Sequence, residues 1–219
     1  MALTYLQETN DASNLTTYTF AAQNLGTASA DRYIRVAIKA RSSDGGARTL
    51  SSVTIGGVGA TINVQAHTSG DSTAIAGASI PTGATGDIVV TWSGGMGDCN
   101  IGVWASTGDV SATATDSGSS TATPQTYSID VVAGGYVIAV GSTSVGGTCT
   151  WTNVTEKWDE VDGGGNNWSG ASDEFLTTQT NTAITATWTA YGRSVACFAS
   201  FEVSAAAATH KNLTLLGVS

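Results

Sequence analysis

The clearest strand signal in this chain is the run Tyr33-Ile34-Arg35-Val36-Ala37-Ile38. Successive side chains of a β-strand point to opposite faces, so Ile34, Val36 and Ile38 share one face and Arg35 lies on the other. Residues typical of turns flank this run, and similar runs recur along the chain. No long stretch shows the apolar period of about 3.6 residues that marks an amphipathic helix. The sequence therefore predicts an all-β protein.

The second half of the chain repeats the apolar runs of the first half in the same order, which indicates an internal duplication. The run that ends at Trp92 is matched by the run that ends at Trp188, and Cys99 is matched by Cys197. Between the halves lies a segment rich in Ser, Thr, Ala and Gly, which predicts a linker with one strand around residues 110–113. We expect two tandem β-sandwich domains, with jelly-roll and immunoglobulin-like connectivity both open.

The predicted boundaries are 1–108 for the first β-sandwich, 109–125 for the linker, 126–204 for the second β-sandwich and 205–219 for a short C-terminal arm. The arm carries Leu213, Leu215 and Leu216. Burying each leucine is worth roughly 1.5–3 kcal/mol, so all three are candidate interface residues. The arm is expected either to fold back on its own domain or to dock on another subunit.

The surface of this protein must be unusually poor in charge. Charged residues make up 11% of the 219 residues, against roughly 25% in ordinary soluble domains. Isolated β-proteins commonly protect their sheet edges with lysine and proline, but this chain has only eight Lys and Arg residues and two prolines. We therefore expect neighbouring subunits, including copies of this chain, to cover some sheet edges.

Composition also disfavours several partners. A net charge of −9 repels phosphate backbones, so no nucleic acid is expected as a partner. No run approaches the roughly 18 apolar residues of a membrane span, so no membrane partner is expected. The N-terminal residues lack the basic and apolar regions of a signal peptide, which predicts synthesis in the cytoplasm without secretion. The spacing of the three cysteines predicts neither a zinc site nor a disulfide framework, and no cofactor is expected.

Catalytic residues are scarce in the sequence. The only histidines are His67, in a polar segment, and His210, in the arm. Neither accompanies the G-x-S-x-G motif of a serine hydrolase. We therefore expect no enzymatic activity and assign no catalytic residue.

The densest acidic cluster covers residues 156–162 and is followed by a glycine-rich segment and Trp168. Its carboxylates could form a calcium loop, although their spacing is not that of a known calcium motif. Trp158 and Trp168 could instead form a platform for a sugar. The third interpretation is a solvated loop whose tryptophans pack on the sandwich or on a neighbour. Trp158 and Trp168 are therefore interface candidates, whereas the other four tryptophans are expected in the core.

Most basic residues lie in the first half of the chain. Arg35, Lys39 and Arg41 are expected to share the face of their strand opposite Ile34, because side chains alternate. This basic stripe is either a solvated outer face or a surface that docks on an acidic partner. The three residues are candidate interface residues on the second interpretation.

Several motifs resemble accessory virion proteins of tailed bacteriophages and gene-transfer-agent particles. The resemblance rests on the order of the runs at Thr17-Tyr18-Thr19-Phe20, Arg32-Tyr33-Ile34-Arg35-Val36, Val53-Thr54-Ile55-Gly56-Gly57 and Ile101-Gly102-Val103-Trp104, and on the ending Leu213-Thr214-Leu215-Leu216. It implies a virion protein that decorates or cements a capsid, or forms a head fibre, spike or tail part. It also implies contact with the major capsid protein and a homo-oligomer, often a trimer. A carbohydrate- or receptor-binding module with a host glycan as ligand is the alternative.

Overall fold

The computed structural model describes residues 3–161 and 165–204. All seventeen elements in these residues are β-strands, and every strand pair in the sheets is antiparallel. The described residues contain no helix of the length and apolarity needed to cross a membrane. The all-β prediction is confirmed. The C-terminal arm with Leu213, Leu215 and Leu216 lies outside the described residues.

Nine strands form the first sandwich. They are β1 (Leu3–Asp11), β2 (Leu15–Asn24), β3 (Arg32–Arg41), β4 (Leu50–Ile55), β5 (Val58–Gly59), β6 (Thr61–His67), β7 (Asp71–Ser79), β8 (Thr85–Met96) and β9 (Asp98–Thr107). One sheet, called inner sheet 1, has the order β1-β9-β3-β7-β6. The other, called outer sheet 1, has the order β2-β8-β4-β5.

Eight strands form the second sandwich. They are β10 (Asp116–Ser120), β11 (Gln125–Val131), β12 (Tyr136–Thr143), β13 (Cys149–Thr152), β14 (Thr155–Val161), β15 (Asn167–Glu174), β16 (Gln179–Trp188) and β17 (Ser194–Phe201). Inner sheet 2 has the order β10-β17-β12-β15-β14, and outer sheet 2 has the order β11-β16-β13.

The two sandwiches have the same topology. Each strand of the second has a counterpart in the first, in the same sheet order, and only β5 lacks one. The β-bulges of the two corresponding edge strands also match. A bulge that contains Asn63 interrupts β6, and a bulge that contains Lys157 interrupts β14. Trp92 and Trp188 occupy equivalent places, opposite Leu50 on β4 and Cys149 on β13 respectively. The correspondence is one of strand order and register, and duplication of the sequence stays a prediction.

Each sandwich has its own core between its inner and outer sheets. Ile34, Val36 and Ile38 point into the first core, as their alternation predicts, together with Trp92 and Cys99. Trp188, Trp151 and Phe198 belong to the second core. Cys197 is not equivalent to Cys99, because it pairs with Val140 and points away from the second core. The predicted match of these two cysteines is therefore wrong.

The inner sheets pack face to face, which makes a stack of four β-layers. A third apolar cluster, called the central contact, lies between them; it comprises Ala37, Ile75, Trp104, Tyr136, Ile138, Val140, Trp158, Trp168, Cys197, Ala199, Phe201 and Val203. Strands β3, β9, β12 and β17 are consequently buried on both faces over almost their whole length.

The inner sheets face each other with their strands in opposite order. Strand β3 lies opposite its own counterpart β12, β1 lies opposite β14, and β6 lies opposite β10. The backbones approach closely where β6 meets β10, whereas β1 and β14 meet through the stacked rings of Tyr5 and Trp158.

The predicted linker is partly a strand of the second sandwich. Strand β10 lies within residues 109–125 and pairs with β17 in inner sheet 2. The strand predicted around residues 110–113 is absent there, because the carbonyl groups of Ser111 and Ala112 accept hydrogen bonds from Arg35. The acidic cluster is also different from the solvated loop considered above. Its residues up to Val161 form the edge strand β14, and Asp162 lies outside the described residues.

Trp158 joins the two sandwiches through a slot made of two glycines. Its indole ring lies against Gly102 of β9 and Gly170 of β15, where any Cβ atom would overlap the ring. The ring also lies 5.1 Å from that of Trp104, 5.2 Å from that of Trp168 and 5.3 Å from that of Tyr5, centroid to centroid. A β-branched or even an alanine side chain in the slot would force the sheets apart.

We therefore expect Gly102→Ala and Gly170→Ala each to lower the free energy of unfolding by about 1–3 kcal/mol, the usual cost of an overpacked core. Urea denaturation followed by tryptophan fluorescence measures the change. Gly59→Ala is the matched control, since a Cβ atom at that strand position meets open space. Equal stability of all three variants would contradict the slot.

Candidate functional site

Four of the five candidate interface residues that the structure describes lie between the two sandwiches of one chain: Trp158 and Trp168 in the central contact, and Arg35 and Lys39 beside it. Arg35 and Lys39 have no exposed surface, and Trp158 and Trp168 are 5% and 1% exposed. The basic stripe is thus not a solvated outer face, and Arg35 and Lys39 are not free to dock on another molecule. The physical reason is that inner sheet 2 covers the face of β3 opposite its core. Arg41, at the end of β3, is half-buried.

Arg35 is the centre of a buried polar network with Ser106, Asp109 and Tyr136. Its Nη2 donates to Oδ2 of Asp109 at 2.6 Å, and its Nε donates to the Tyr136 hydroxyl at 3.0 Å. The guanidinium carbon lies 3.8 Å from the ring centroid of Phe201, so the cation also stacks on an aromatic face. With two further bonds to backbone carbonyl groups, Arg35 is well compensated for its loss of water.

Asp109 belongs to this network and lies in residues 108–115, the connection between the sandwiches. Its Oδ2 accepts hydrogen bonds from Arg35, from the Tyr136 hydroxyl at 2.6 Å and from Ser106 Oγ at 2.8 Å. Burial raises the pKa of Tyr136 well above its usual value, so this hydroxyl stays protonated and donates. Because Arg35 and Ser106 belong to the first sandwich and Tyr136 to the second, the network fixes how the sandwiches dock.

The opposite end of the central contact is polar but poorly satisfied. Lys39 Nζ donates to Asp98 at 2.9 Å. Both amide atoms of Asn100, the hydroxyl of Ser142 and the indole Nε1 of Trp168 are buried without a hydrogen-bond partner. Unpaired buried polar atoms cost free energy, so the two ends of the contact contribute unequally to docking.

Asp71 lies at this poorly satisfied end. Its side chain is fully buried, and Oδ2 lies 3.5 Å from Nε of Arg193, which belongs to the second sandwich. Burial raises the pKa of Asp71, and the charges of Lys39, Arg193 and Arg41 oppose that rise without cancelling it. Ionisation of Asp71 therefore destabilises the folded protein.

The burial of Trp158 and Trp168 bears on the sugar interpretation. A stacking platform requires both indole rings on the surface together, and both rings are packed in the central contact. Trp104 is also there rather than in the first core, and its Nε1 donates to Ser172 of the second sandwich at 3.0 Å. The structure therefore offers no exposed tryptophan pair at these positions.

Potential metal ligands and reactive thiols can be located directly. No group of three or more His, Cys, Asp or Glu side chains within residues 3–161 and 165–204 is placed to hold a metal ion. Cys99, Cys149 and Cys197 are free and buried. Burial raises the pKa of Cys197 to about 12, so its thiol stays protonated near neutral pH.

The two outer sheets present similar exposed faces on opposite sides of the stack. Rows of hydroxyl side chains cross each face: Thr17, Thr91 and Ser52 on outer sheet 1, and Thr126, Thr185 and Thr152 on outer sheet 2. Thr17 and Thr91 are hydrogen-bonded at 3.2 Å, and Thr126 and Thr185 at 2.9 Å. Asp87 and Asp130 are the only charged residues in the described strands of these sheets.

Sequence reasoning did not find Ser106, Asp109, Tyr136 or the hydroxyl rows as features of the site. One signal for the central contact was present, since residues 136–140 are all apolar or aromatic. A strand without polar alternation is typical of burial on both faces. Asp109 had no local signal, because only the fold brings it to Arg35.

Searches against protein-family models, curated proteins and solved structures find no match to this chain.

Replacement of Asp109 tests the polar network. Asp109→Ala leaves the buried Arg35 cation without its carboxylate, which should lower the free energy of unfolding by about 3–5 kcal/mol. Chemical denaturation measures the loss. In the matched control, Asp44→Ala breaks the exposed Asp44–Arg48 pair and should leave stability unchanged. The network would be rejected if the two variants were equally stable.

Asp71 gives a prediction with a defined sign. Because its pKa in the folded state lies above the unfolded value of about 3.9, the folded state binds more protons between those two values. Its contribution to the free energy of unfolding therefore falls as pH rises through that window. Asp71→Asn should remove this fall in denaturation curves recorded from pH 4 to 7. Asp44→Asn should not, since the backbone N–H of Gly46 lowers the pKa of that exposed carboxyl. A pH dependence unchanged by Asp71→Asn would contradict the assignment.

Proposed function

We propose that this chain is a structural component of a phage-like particle, a capsid decoration, cement or head-spike protein that acts by packing against other subunits. The observation that carries the proposal is the pair of hydroxyl-coated, nearly uncharged outer faces. Covering Ser and Thr side chains costs less desolvation than covering charges, and the cores of protein interfaces are depleted of charged residues.

The sheet edges support the same proposal. In outer sheet 2 the edge strands are β11 and β13, and neither contains lysine, arginine or proline. Unprotected edges of this kind offer backbone groups to a neighbouring chain. Because the faces lie on opposite sides of one stack, a single copy could contact two subunits at once. The partners proposed are the major capsid protein and further copies of this chain.

The alternative, a carbohydrate- or receptor-binding module, is less well supported. Its main sequence argument was an exposed pair formed by Trp158 and Trp168, and these rings hold the two sandwiches together instead. We therefore propose the assembly role in preference to it.

Thr185→Lys tests the proposal, because Thr185 lies in the middle of the hydroxyl row of outer sheet 2. We expect the variant to fold normally by circular dichroism but to be depleted from purified particles, since a buried lysine would lose its water without a partner. Quantitative mass spectrometry of particles from the source strain gives the copy number.

Thr113→Lys, at an exposed position in the connection between the sandwiches, is the control and should be incorporated normally. Absence of the unsubstituted chain from particles would overturn the proposed function. Equal incorporation of both variants would reject outer sheet 2 as the contact face.

A further inference from the structure

We propose that Lys39 and Asn100 become joined by an amide bond that forms within the folded chain, with Asp98 as the group that transfers protons. Lys39 lies on β3, and Asn100 lies directly opposite it on the neighbouring strand β9. Both residues have no exposed surface, and both side chains lie on the face of inner sheet 1 that meets the second sandwich. The product is a covalent cross-link between two strands, made by residues of this chain alone.

The register of the two strands brings the reacting groups within reach of each other. Side chains directly opposite each other in an antiparallel pair have Cβ atoms about 4.5–5.5 Å apart, a gap that a lysine side chain can cross. The side chain of Lys39 extends toward β9, because its Nζ donates to Oδ1 of Asp98 at 2.9 Å. Asp98 and Asn100 are two residues apart and share one face of β9. The amine is therefore held on the side where the Asn100 amide lies.

The amide of Asn100 is not held in place by hydrogen bonds. Neither its oxygen nor its nitrogen has a hydrogen-bond partner among the described residues, although the residue is completely buried. Buried amides normally have such partners, because an unpaired polar atom costs free energy. The reaction replaces the buried ammonium group of Lys39 and the unpaired amide nitrogen of Asn100 by one neutral amide. Burial of one neutral amide costs less than burial of a charge.

Asp98 can carry out the proton transfers that the reaction needs. Its carboxylate takes a proton from the Lys39 ammonium group through their hydrogen bond, which frees the lone pair of Nζ. This pair forms the bond to Cγ of Asn100, and the bond between Cγ and Nδ2 breaks with its electrons on Nδ2. Asp98 returns the proton to Nδ2, and a second proton from Nζ leaves with that nitrogen. The products are a neutral amide and ammonium, and no atom is oxidised or reduced.

The facing sheet places a hydrogen-bond donor at the level of Asn100. Strands β9 and β15 run in the same direction across the central contact, and the ring of Trp158 lies against both Gly102 and Gly170. Asn100 and Trp168 each precede one of these glycines by two residues, so they lie at the same level. The indole Nε1 of Trp168 is buried without a hydrogen-bond partner among the described residues. It can donate to the amide oxygen, which becomes negatively charged during the attack.

Intact mass spectrometry of the purified and denatured full-length chain tests the proposal. We expect the chain to be lighter than its sequence by the mass of one ammonia molecule. Asn100→Ala keeps the Lys39–Asp98 pair but has no amide to attack, so it should have the full mass of its sequence. Asp98→Ala should also have the full mass, because it lacks the proton acceptor. Asp44→Ala removes an exposed carboxylate and, as the matched control, should keep the loss of ammonia.

Peptide mapping locates the bond, and circular dichroism checks that each variant is folded. Trypsin should give one branched peptide in which residues 36–41 stay uncleaved at Lys39 and are joined to residues 49–157 through Asn100. The mass of the unsubstituted chain decides whether the bond exists even if a variant does not fold.

Four results would overturn the proposal. They are a full mass for the unsubstituted chain, a loss of ammonia that maps to other residues, a loss that persists in Asn100→Ala, and a loss of one water molecule instead of ammonia. The last result would indicate a bond from Lys39 to a carboxyl group, for which Asp71 is the buried candidate. A folded Asp98→Ala variant that keeps the loss of ammonia would reject Asp98 as the group that transfers protons.

Discussion

The burial of both inner sheets on both of their faces is the constraint from which the rest of the structure follows. A sheet in an ordinary sandwich hides one face and hydrates the other, but β3, β9, β12 and β17 are enclosed on both. Their outward side chains must therefore be apolar or completely paired. The glycine slot of Trp158 and the compensated guanidinium of Arg35 both meet that requirement.

The buried polar groups are largely satisfied at one end of the central contact and not at the other. At one end Arg35, Asp109 and Tyr136 satisfy one another with short hydrogen bonds that join the two sandwiches. At the other end Asn100 and Trp168 keep buried polar atoms without partners. Hydrogen bonds are directional and apolar contacts are not, so the satisfied network restricts the relative position of the sheets while the aromatic rings bury apolar surface.

Much of the fold could be predicted from the sequence, because period-two alternation reports which side chains share a face of a strand. It placed Ile34, Val36 and Ile38 together, and it identified Trp92 and Trp188 as equivalent core residues. Alternation does not report what covers a face. Arg35 and Lys39 were correctly placed opposite the core, yet that face is covered by a second sandwich encoded a hundred residues away. The apolar run of residues 136–140 indicates burial on both faces, but no local pattern indicates which surface covers the second face.

The indole rings of Trp104, Trp158 and Trp168 form a continuous chain with centroid separations of 5.1 and 5.2 Å. Chromophores this close exchange excitation energy, so their ultraviolet transitions couple and should give a dichroic couplet distinct from the ordinary β-sheet spectrum. Trp104 belongs to one sandwich and the other two rings to its neighbour. This dichroic signal would therefore report, without an attached dye, whether the two sandwiches are docked.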